Sequence, residues 1–572
     1  LSSWRALKLG PMLGHPHSGR DRGEWYVTVK TELRELEQGM DSAESYQGWL
    51  EAAQAHDELT GMSEWREEEA SSLYDHAQIR YRLDRLRKFR KKKDWTGLLY
   101  SLNEGIHGNM GGMGKSVLYR QAKAGTKTLI EQYITEIDQA LLLIAELPDD
   151  VIPTQQKLDF FYRSNVCYGR SALMLSGGGV LGFLHLGVVG ELLRQGLLPR
   201  VVSGSSAGSI VAAALAAYTD EEMKDADLIG LMETGGTDTK NFIRRWFSGK
   251  GGRFTAEDTA QLIEATIPDL TFAEAYAKTG RQVSITVAPA EPHQRSRLLN
   301  AVSSPNVYLR SAAMASCAIP GVFPAVMLEA KNEHGEAQPY LPARRWVDGS
   351  VADDLPAKRL SRLFSTNHYI VSMVNPIARA FLPRDDKARP LRQAATSLGM
   401  GIGREMLNFY RGVAKRYGDN WPKFNMMLHG VHGLLDQEYS GDINIVPRFR
   451  LQNPVQLITQ PSEQELRTLV REGERAAYSR IESIRQCTRI SSTLEEILHR
   501  FEYGDLRPAP GTYRRPKSSR RRPPPTAVQM KALKAEVSAA RVSSQARRDK
   551  RVQKSSTVSA KRSGMSRRGA MA

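Results

Sequence analysis

The sequence predicts an α/β fold built on a largely parallel sheet with helices on both faces, preceded by an α-helical extension and followed by a disordered basic tail. Residues 171–218, SALMLSGGGVLGFLHLGVVGELLRQGLLPRVVSGSSAGSIVAAALAAY, contain an apolar run of strand length, a glycine-bearing turn and a helix-patterned segment, and then the same three parts again. Further apolar runs at 282–287, 346–347, 369–374 and 442–446 are separated by helix-patterned stretches. Strands that alternate with helices form a parallel sheet covered on both sides, with functional groups gathered at the strands' C-terminal ends.

Taken in order, residues 1–23 hold Gly, Pro and His without periodicity, and His15 and His17 read as solvated side chains of a loose terminus. From Thr31 to about Ala145 the segments LRELEQGM, YQGWLEAAQAHDEL, YDHAQIRYRLDRLRKFRKKKDW and TLIEQYITEIDQALLLIAEL place apolar residues three and four apart, the spacing of one helix face. Within them RYRLDRLRKFRKKK at 80–93 is a basic amphipathic helix with two readings. Leu83, Leu86 and Phe89 face the acyl boundary of an anionic lipid surface, or they face the core while the basic side chains are solvated. Residues 105–116, GIHGNMGGMGKS, end like a phosphate loop, but the register puts Asn109 where the first glycine belongs and no buried strand precedes it. A helix-to-helix turn fits better. Later, 219–258 reads as a polar lid or connection, 310–318 as a helix, 391–437 as mostly helix, and 463–485 and 493–500 as helices.

The two turns carry the chemistry. Gly204-Ser205-Ser206-Ala207-Gly208 fits the nucleophile-elbow pattern G-x-S-x-G, in which small flanking residues let the chain bend sharply and expose a strained serine, here Ser206. In isolation the same residues describe a turn that lets helix and sheet pack closely. Ser176-Gly177-Gly178-Gly179-Val180-Leu181-Gly182 places amides at a helix N-terminus, the arrangement that stabilises an oxyanion. These glycines also satisfy G-x-G-x-x-G, but where a dinucleotide fold wants an acidic residue, about 20 residues on, the elbow stands instead. Loop and elbow together favour acyl transfer.

The order GGGVLG, GSSAG and, much later, Asp348-Gly349-Ser350 resembles the patatin-like phospholipase family, whose pattern is a glycine-rich oxyanion loop, a G-x-S-x-G nucleophile and an Asp-Gly-[Gly/Ala] aspartate. Ser350 departs from that pattern at its third position. SCAIPGVFP at 316–324 and WVDGSVADDLP at 346–356 resemble the triacylglycerol lipases of fungal lipid droplets and their bacterial relatives, which carry an N-terminal helical extension that 31–165 resembles. The similarity covers roughly 31–450. It implies a patatin-like three-layer sandwich and a Ser-Asp dyad, in which a carboxylate within hydrogen-bond reach takes the serine proton directly. By this resemblance Ser206 is the nucleophile and Asp348 the proton acceptor. The amides of Gly178 and Gly179 stabilise the oxyanion, Gly177 and Gly182 shape that loop, and Gly204 and Gly208 belong to the elbow. No metal or organic cofactor is implied. The implied substrate is a glycerolipid at a membrane or lipid-droplet surface. Asp353 and Asp354 lack the tight Asp-Gly turn and read as loop or helix-cap residues.

Hydrophobic residues at 41% and charged ones at 25% of the 572 are ordinary for a globular protein, and the net charge of +17 lies elsewhere than in its body. From Arg507 to Ala572 there are 19 Lys and Arg against Glu536 and Asp549, so the tail accounts for the whole excess. Rich in Pro, Ser and Arg, it is expected to be disordered and to attract anionic lipid. With Tyr513 its only aromatic residue it offers little for base stacking, which argues against nucleic acid as a partner. Cys167, Cys317 and Cys487 are far apart, as in a reducing compartment, and no apolar run approaches the roughly 20 residues of a membrane span. An intracellular protein held peripherally at a membrane or lipid surface is expected. Leu1 in place of Met suggests a gene model incomplete at its start. Two rivals stay open: an α/β-hydrolase with a Ser-Asp-His triad completed by His368, His429 or His432, and a non-catalytic lipid-surface binding protein that keeps the fold. The expected organisation is an unstructured 1–30, a helical extension at 31–165, a catalytic domain at 166–375, a mostly helical 376–505 and a disordered tail at 506–572. The oligomeric state is left open.

Overall fold

In the computed structural model the described residues are 19–106, 109–225, 255–291, 294–320, 322–375, 441–447 and 459–503. Strand β1 (Arg170–Leu175) lies inside the sheet because its apolar residues are buried on both faces. It pairs in parallel with β2 (Val201–Gly204), which pairs in parallel with β3 (Gln282–Pro289). The far edge of β3 is shared by two antiparallel strands. Strand β4 (Arg297–Asn300) covers Ser284 to Val287, while β5 (Leu328–Lys331) and β6 (Ala337–Tyr340) form a separate hairpin and β7 (Trp346–Asp348) covers Val287 to Pro289. On the other side of β1 come β8 (Thr366–Ser372) and then β9 (Ile443–Ile445), both parallel. The sheet is therefore mixed and mostly parallel, in the order β4-β3-β2-β1-β8-β9 with β7 against β3.

The helical N-terminal region begins earlier than its sequence suggests. Helix α1 (Gly19–Ser42) starts inside the stretch expected to lack structure, because nothing after Gly23 breaks a helix and its continuation is amphipathic. It is followed by α2 (Tyr46–Leu59), α3 (Met62–Glu67), α4 (His76–Lys92), α5 (Trp95–Gly105), α6 (Thr128–Glu146) and α7 (Thr154–Tyr168). Ser45, Asp75 and Asp94 start α2, α4 and α5 by accepting the amide hydrogen bond three residues on. In α4, Leu83 and Leu86 are buried against Leu98, Tyr133 and Ile137, with Phe89 packed beside them. The core-facing reading of this basic helix holds, and the lipid-facing one is overturned. Residues 109–119 connect α5 to α6 through short 3-10 turns, and Lys115 donates to the Leu73 carbonyl at 3.0 Å. This is the expected helix-to-helix turn.

The remaining helices are α8 (Phe183–Arg194), α9 (Ala207–Ala217), α10 (Asp220–Asp225), α11 (Ala256–Thr266), α12 (Phe272–Thr279), α13 (Leu309–Ser316), α14 (Ser350–Asp353), α15 (Ala357–Phe364), α16 (Glu463–Tyr478) and α17 (Ile481–Tyr503). Alternation along β1 separates two cores. Leu173 and Leu175 join Val202, Ile285 and Ile370 on the face covered by α8, α9 and α16, while Ala172 and Met174 join Val201, Val371 and the α15 residues Leu360 and Phe364 on the other. Helix, sheet and helix make three layers. Ile490, Leu494 and Ile497 of α17 complete the core of α4–α7, and Arg489 pairs with Asp138 at 2.9 Å. The polar connection at 226–254, the helices expected over 391–437, His429, His432 and the tail lie outside the described residues. Among the described residues no helix is long and apolar enough to cross a membrane.

Candidate active site

Strand β2 ends at Gly204 and α9 begins at Ala207, so the chain reverses across Ser205 and Ser206. Ser206 has φ +49° and ψ −127°, a backbone state that costs an L-residue about 1–3 kcal/mol and persists only where its surroundings impose it. Here they do. The Ser205 amide donates to the Leu175 carbonyl, and the Ser206 amide donates to the Ser316 hydroxyl at 2.9 Å, which in turn donates to the Thr286 carbonyl at 2.8 Å. The Ser209 hydroxyl donates to the Ser206 carbonyl at 2.6 Å. A Cβ on Gly204 would run into the Gly208 carbonyl, and one on Gly208 into the Leu175 carbonyl. Both glycines of the elbow are thus required by backbone approach.

The glycine-rich loop leaves the end of β1 and lies against this elbow. A Cβ on Gly177 would stand 3.2 Å from the Ser206 Cβ, one on Gly178 would meet Val374, and one on Gly182 would meet Ala207 at 2.5 Å. Gly179 has φ +55° and opens a 3-10 turn that runs to Gly182 and into α8. The Gly177 amide is taken by Asp354 at 2.8 Å, whereas among the described residues no acceptor takes the amides of Gly178 or Gly179. The loop's start is pinned by His185 of α8. Its Nε2 donates to the Ser176 carbonyl at 2.9 Å and its Nδ1 accepts from the Ser372 hydroxyl at 2.7 Å, the tautomer that the carbonyl demands. Burial pushes this imidazole down to about 4, so it stays neutral.

Asp348 ends β7 opposite Val287 of β3, which brings it to the C-terminal end of the parallel strands. Its amide donates to the Ala318 carbonyl at 2.9 Å. Its carboxylate accepts the Ser350 amide at 2.8 Å and lies beside the Ser206 hydroxyl. Burial pushes the carboxyl up to about 6, and the neighbouring Ser206 and Ser350 hold it from rising further. Sequence and structure therefore place Ser206, Asp348 and all six glycines in one place.

Two aspartates after Asp348 divide. Asp353 pairs with Arg359 at 3.3 Å, in keeping with a structural role. Asp354 sits at the C-cap position of α14, as expected, but its side chain does more: it is 1% exposed, accepts the Gly177 amide and the Ser205 hydroxyl on one oxygen, and accepts Asn375 Nδ2 at 3.3 Å on the other. Burial pushes it up to about 7. Its only signal in the sequence is a second carboxylate after Asp353 and before Leu355-Pro356, which cannot name its partners. His368 lies elsewhere. It pairs in register with Ser171 while Ser372 pairs with Leu175, so it sits about 13 Å down the strand from the site, bonded to the Ser171 hydroxyl. Among the described residues no cluster of His, Cys, Asp or Glu is arranged to hold a metal ion.

A family model described as patatin-like phospholipase matches residues 173–360, and one described as a domain of unknown function, DUF3336, matches 26–165. Triacylglycerol lipase 4 of Saccharomyces cerevisiae is 34% identical over 477 residues, covering 77% of this chain and 50% of that one. A patatin-like phospholipase domain-containing protein of Yarrowia lipolytica is 31% identical over 471 residues, covering 80% and 57%. This chain thus spans about half the length of those two relatives. Triacylglycerol lipase ptl2 of Schizosaccharomyces pombe is 30% identical over 495 residues, covering 83% of this chain and 76% of the relative. Likeness over that share of both chains, with the loop, elbow and aspartate assembled at one end of a mostly parallel sheet, establishes that the chain belongs to the patatin-like phospholipase family.

Proposed function

We propose that the chain is a serine acyl hydrolase that cleaves carboxylic ester bonds of glycerolipids through a Ser206–Asp348 dyad and an acyl-enzyme. The observation that supports this reading is the strained elbow that holds Ser206 beside the buried Asp348 carboxylate. The names of the relatives, triacylglycerol lipases and patatin-like phospholipases, support a triacylglycerol or a phospholipid as the ester.

In this scheme the Ser206 oxygen attacks the ester carbonyl while its proton passes to Asp348. The carbonyl oxygen, now negative, takes the amides of Gly178 and Gly179, and the N-terminus of α9 favours the same charge. Collapse expels the alcohol, which takes the proton back from Asp348 and leaves the acyl group on Ser206. Water then gives a proton to Asp348 and attacks the acyl carbon, and collapse returns Ser206 with its proton. No metal or organic cofactor enters the scheme. The catalytic unit is 166–375, flanked by the helical 31–165 and 376–505. Attachment to a membrane or lipid-droplet surface is peripheral, with anionic lipid drawn by the basic residues beyond Leu506.

Fatty-acid release from a panel of triacylglycerols and phospholipids by the parent and Ser206→Ala tests the reading. Release by the parent alone supports it, and the preferred member of the panel identifies the glycerolipid. Equal release by both, or none from any ester by a folded parent, overturns it.

A further inference from the structure

We propose that Asp354 is a positioning residue of the acyl-transfer site, tying the glycine-rich loop to the nucleophile elbow so that the Gly178 and Gly179 amides and the Ser206 hydroxyl face one reacting carbonyl. The inference rests on the reading of Ser206 as nucleophile.

The two parts of the site arise from different strands. The loop follows β1 and the elbow follows β2, and the acyl-transfer geometry needs both fixed relative to each other, since a misplacement of about 1 Å can cost about 10²-fold in rate. One oxygen of Asp354 accepts from Gly177 and Ser205 together. Gly177 is the residue before the free amides, and Ser205 the residue before the nucleophile. The other oxygen holds Asn375, just beyond β8. That segment is itself tied to the loop, because the Ser176 hydroxyl accepts the amides of Val374 at 2.9 Å and Asn375 at 3.3 Å. Three strand ends thus converge on one buried carboxyl. Asp354 also follows Asp348 through the short helix α14, so base and brace belong to one segment.

Its geometry separates it from a second general base. Its hydroxyl partner is Ser205, while Ser206 lies beside Asp348. What the position needs is an acceptor. An asparagine there keeps an oxygen for Gly177 and Ser205, and its amide nitrogen can meet Asn375 once that side chain turns its own oxygen inward. Alanine leaves the Gly177 amide and Ser205 hydroxyl buried without a partner.

The test compares Asp354→Asn, Asp354→Ala, Ser205→Ala and Ser206→Ala of the full chain on p-nitrophenyl butyrate, with active sites titrated by a fluorophosphonate so that kcat refers to folded sites. Asp354→Ala should lose about 10²-fold in kcat with KM within about threefold, Asp354→Asn should stay within about fivefold of the parent, and Ser205→Ala should lose about three- to tenfold in kcat. A merely structural role would lower the titrated fraction and leave kcat per site alone. Unchanged kcat in a folded Asp354→Ala overturns the proposal, as does an Asp354→Asn as slow as the alanine variant. If Asp354→Ala does not fold, the pair Asp354→Asn and Ser205→Ala decides: rescue by the first with loss in the second supports the brace, and parental kcat in Ser205→Ala refutes it. Ser206→Ala separates the two claims. Full turnover there removes the nucleophile assignment itself, whereas a dead Ser206→Ala beside a fully active Asp354→Ala removes the brace alone.

Discussion

Ser206 stands beside the carboxylate of Asp348 on a backbone held at φ +49°. The strain and the approach to Asp348 have one origin. The elbow is forced into shape by Gly204, Gly208 and the Ser316 hydroxyl, and that shape points the serine at the end of β7.

The first prediction concerns pH. Asp348 must be ionised to accept a proton, and burial pushes it up to about 6. Turnover per titrated site on a soluble ester, measured as kcat/KM, should therefore rise with pH through about 6 and level off above it. Asp354→Asn should keep this limb, because the carboxylate that takes the serine proton is Asp348. A flat profile from pH 5 to 8 would contradict the assignment.

A second prediction is that removing the base stabilises the fold. The Asp348 carboxyl titrates higher folded than unfolded, so its contribution to stability is fully present below the unfolded value of 3.8 and is lost as pH rises through about 6. Above pH 7 the ionised carboxylate costs folding about 3 kcal/mol relative to an unburied one. Asp348→Asn, whose amide can still meet Ser206 and Ser350, should have a higher Tm than the parent at pH 8 and a similar one near pH 4. Calorimetry at both values checks the sign; a lower Tm at pH 8 would count against a strained buried base.

Gly349 supplies a third. A Cβ there would run into the Thr286 carbonyl and lie 2.8 Å from the Val287 amide, both in the buried backbone of β3. Gly349→Ala must push β7 away from β3, costing about 1–3 kcal/mol, and must shift Asp348 with it. Thermal unfolding should show the loss, and kcat per titrated site should fall at least about tenfold. Parental turnover would mean that the Asp-Gly turn does not set the base.

The fourth addresses the tail. Deleting residues after about Leu506 removes the chain's entire net positive charge. Each Lys or Arg near an anionic surface contributes about 1 kcal/mol, so co-sedimentation with phosphatidylserine vesicles at low salt should fall by at least about tenfold. Ester turnover should be unchanged. Equal vesicle binding by both forms, or loss of turnover in a folded truncation, would break that division.

What could be read in advance follows from the range of the forces involved. β1 and β2 each carry a short apolar run that breaks into glycines, and the elbow announces itself because its glycines answer to contacts within a few residues or with the adjacent strand. Strands β4, β5 and β6 give no such sign: β6 is exposed along most of its length, and each holds to its partner by backbone pairing that many sequences allow. The apolar stripe of α4 was legible, but its partner was not, since Leu83 and Leu86 meet α5 and α6 and a lipid would suit the same stripe. Asp348 stood out through its resemblance to a family motif. Asp354 did not, because the hydrogen bond that gives it meaning reaches a glycine 177 positions away.

The most direct test of the Ser206–Asp348 dyad is the rate and site of covalent labelling by a fluorophosphonate, mapped by mass spectrometry on the parent, Ser206→Ala, Asp348→Asn and His368→Ala. A single adduct on Ser206 is expected in the parent and none at any residue in Ser206→Ala. Labelling should slow by at least about 10²-fold in Asp348→Asn and stay within about threefold of the parent in His368→Ala. An adduct that persists in Ser206→Ala, or a folded His368→Ala that labels as slowly as Asp348→Asn, would contradict the dyad.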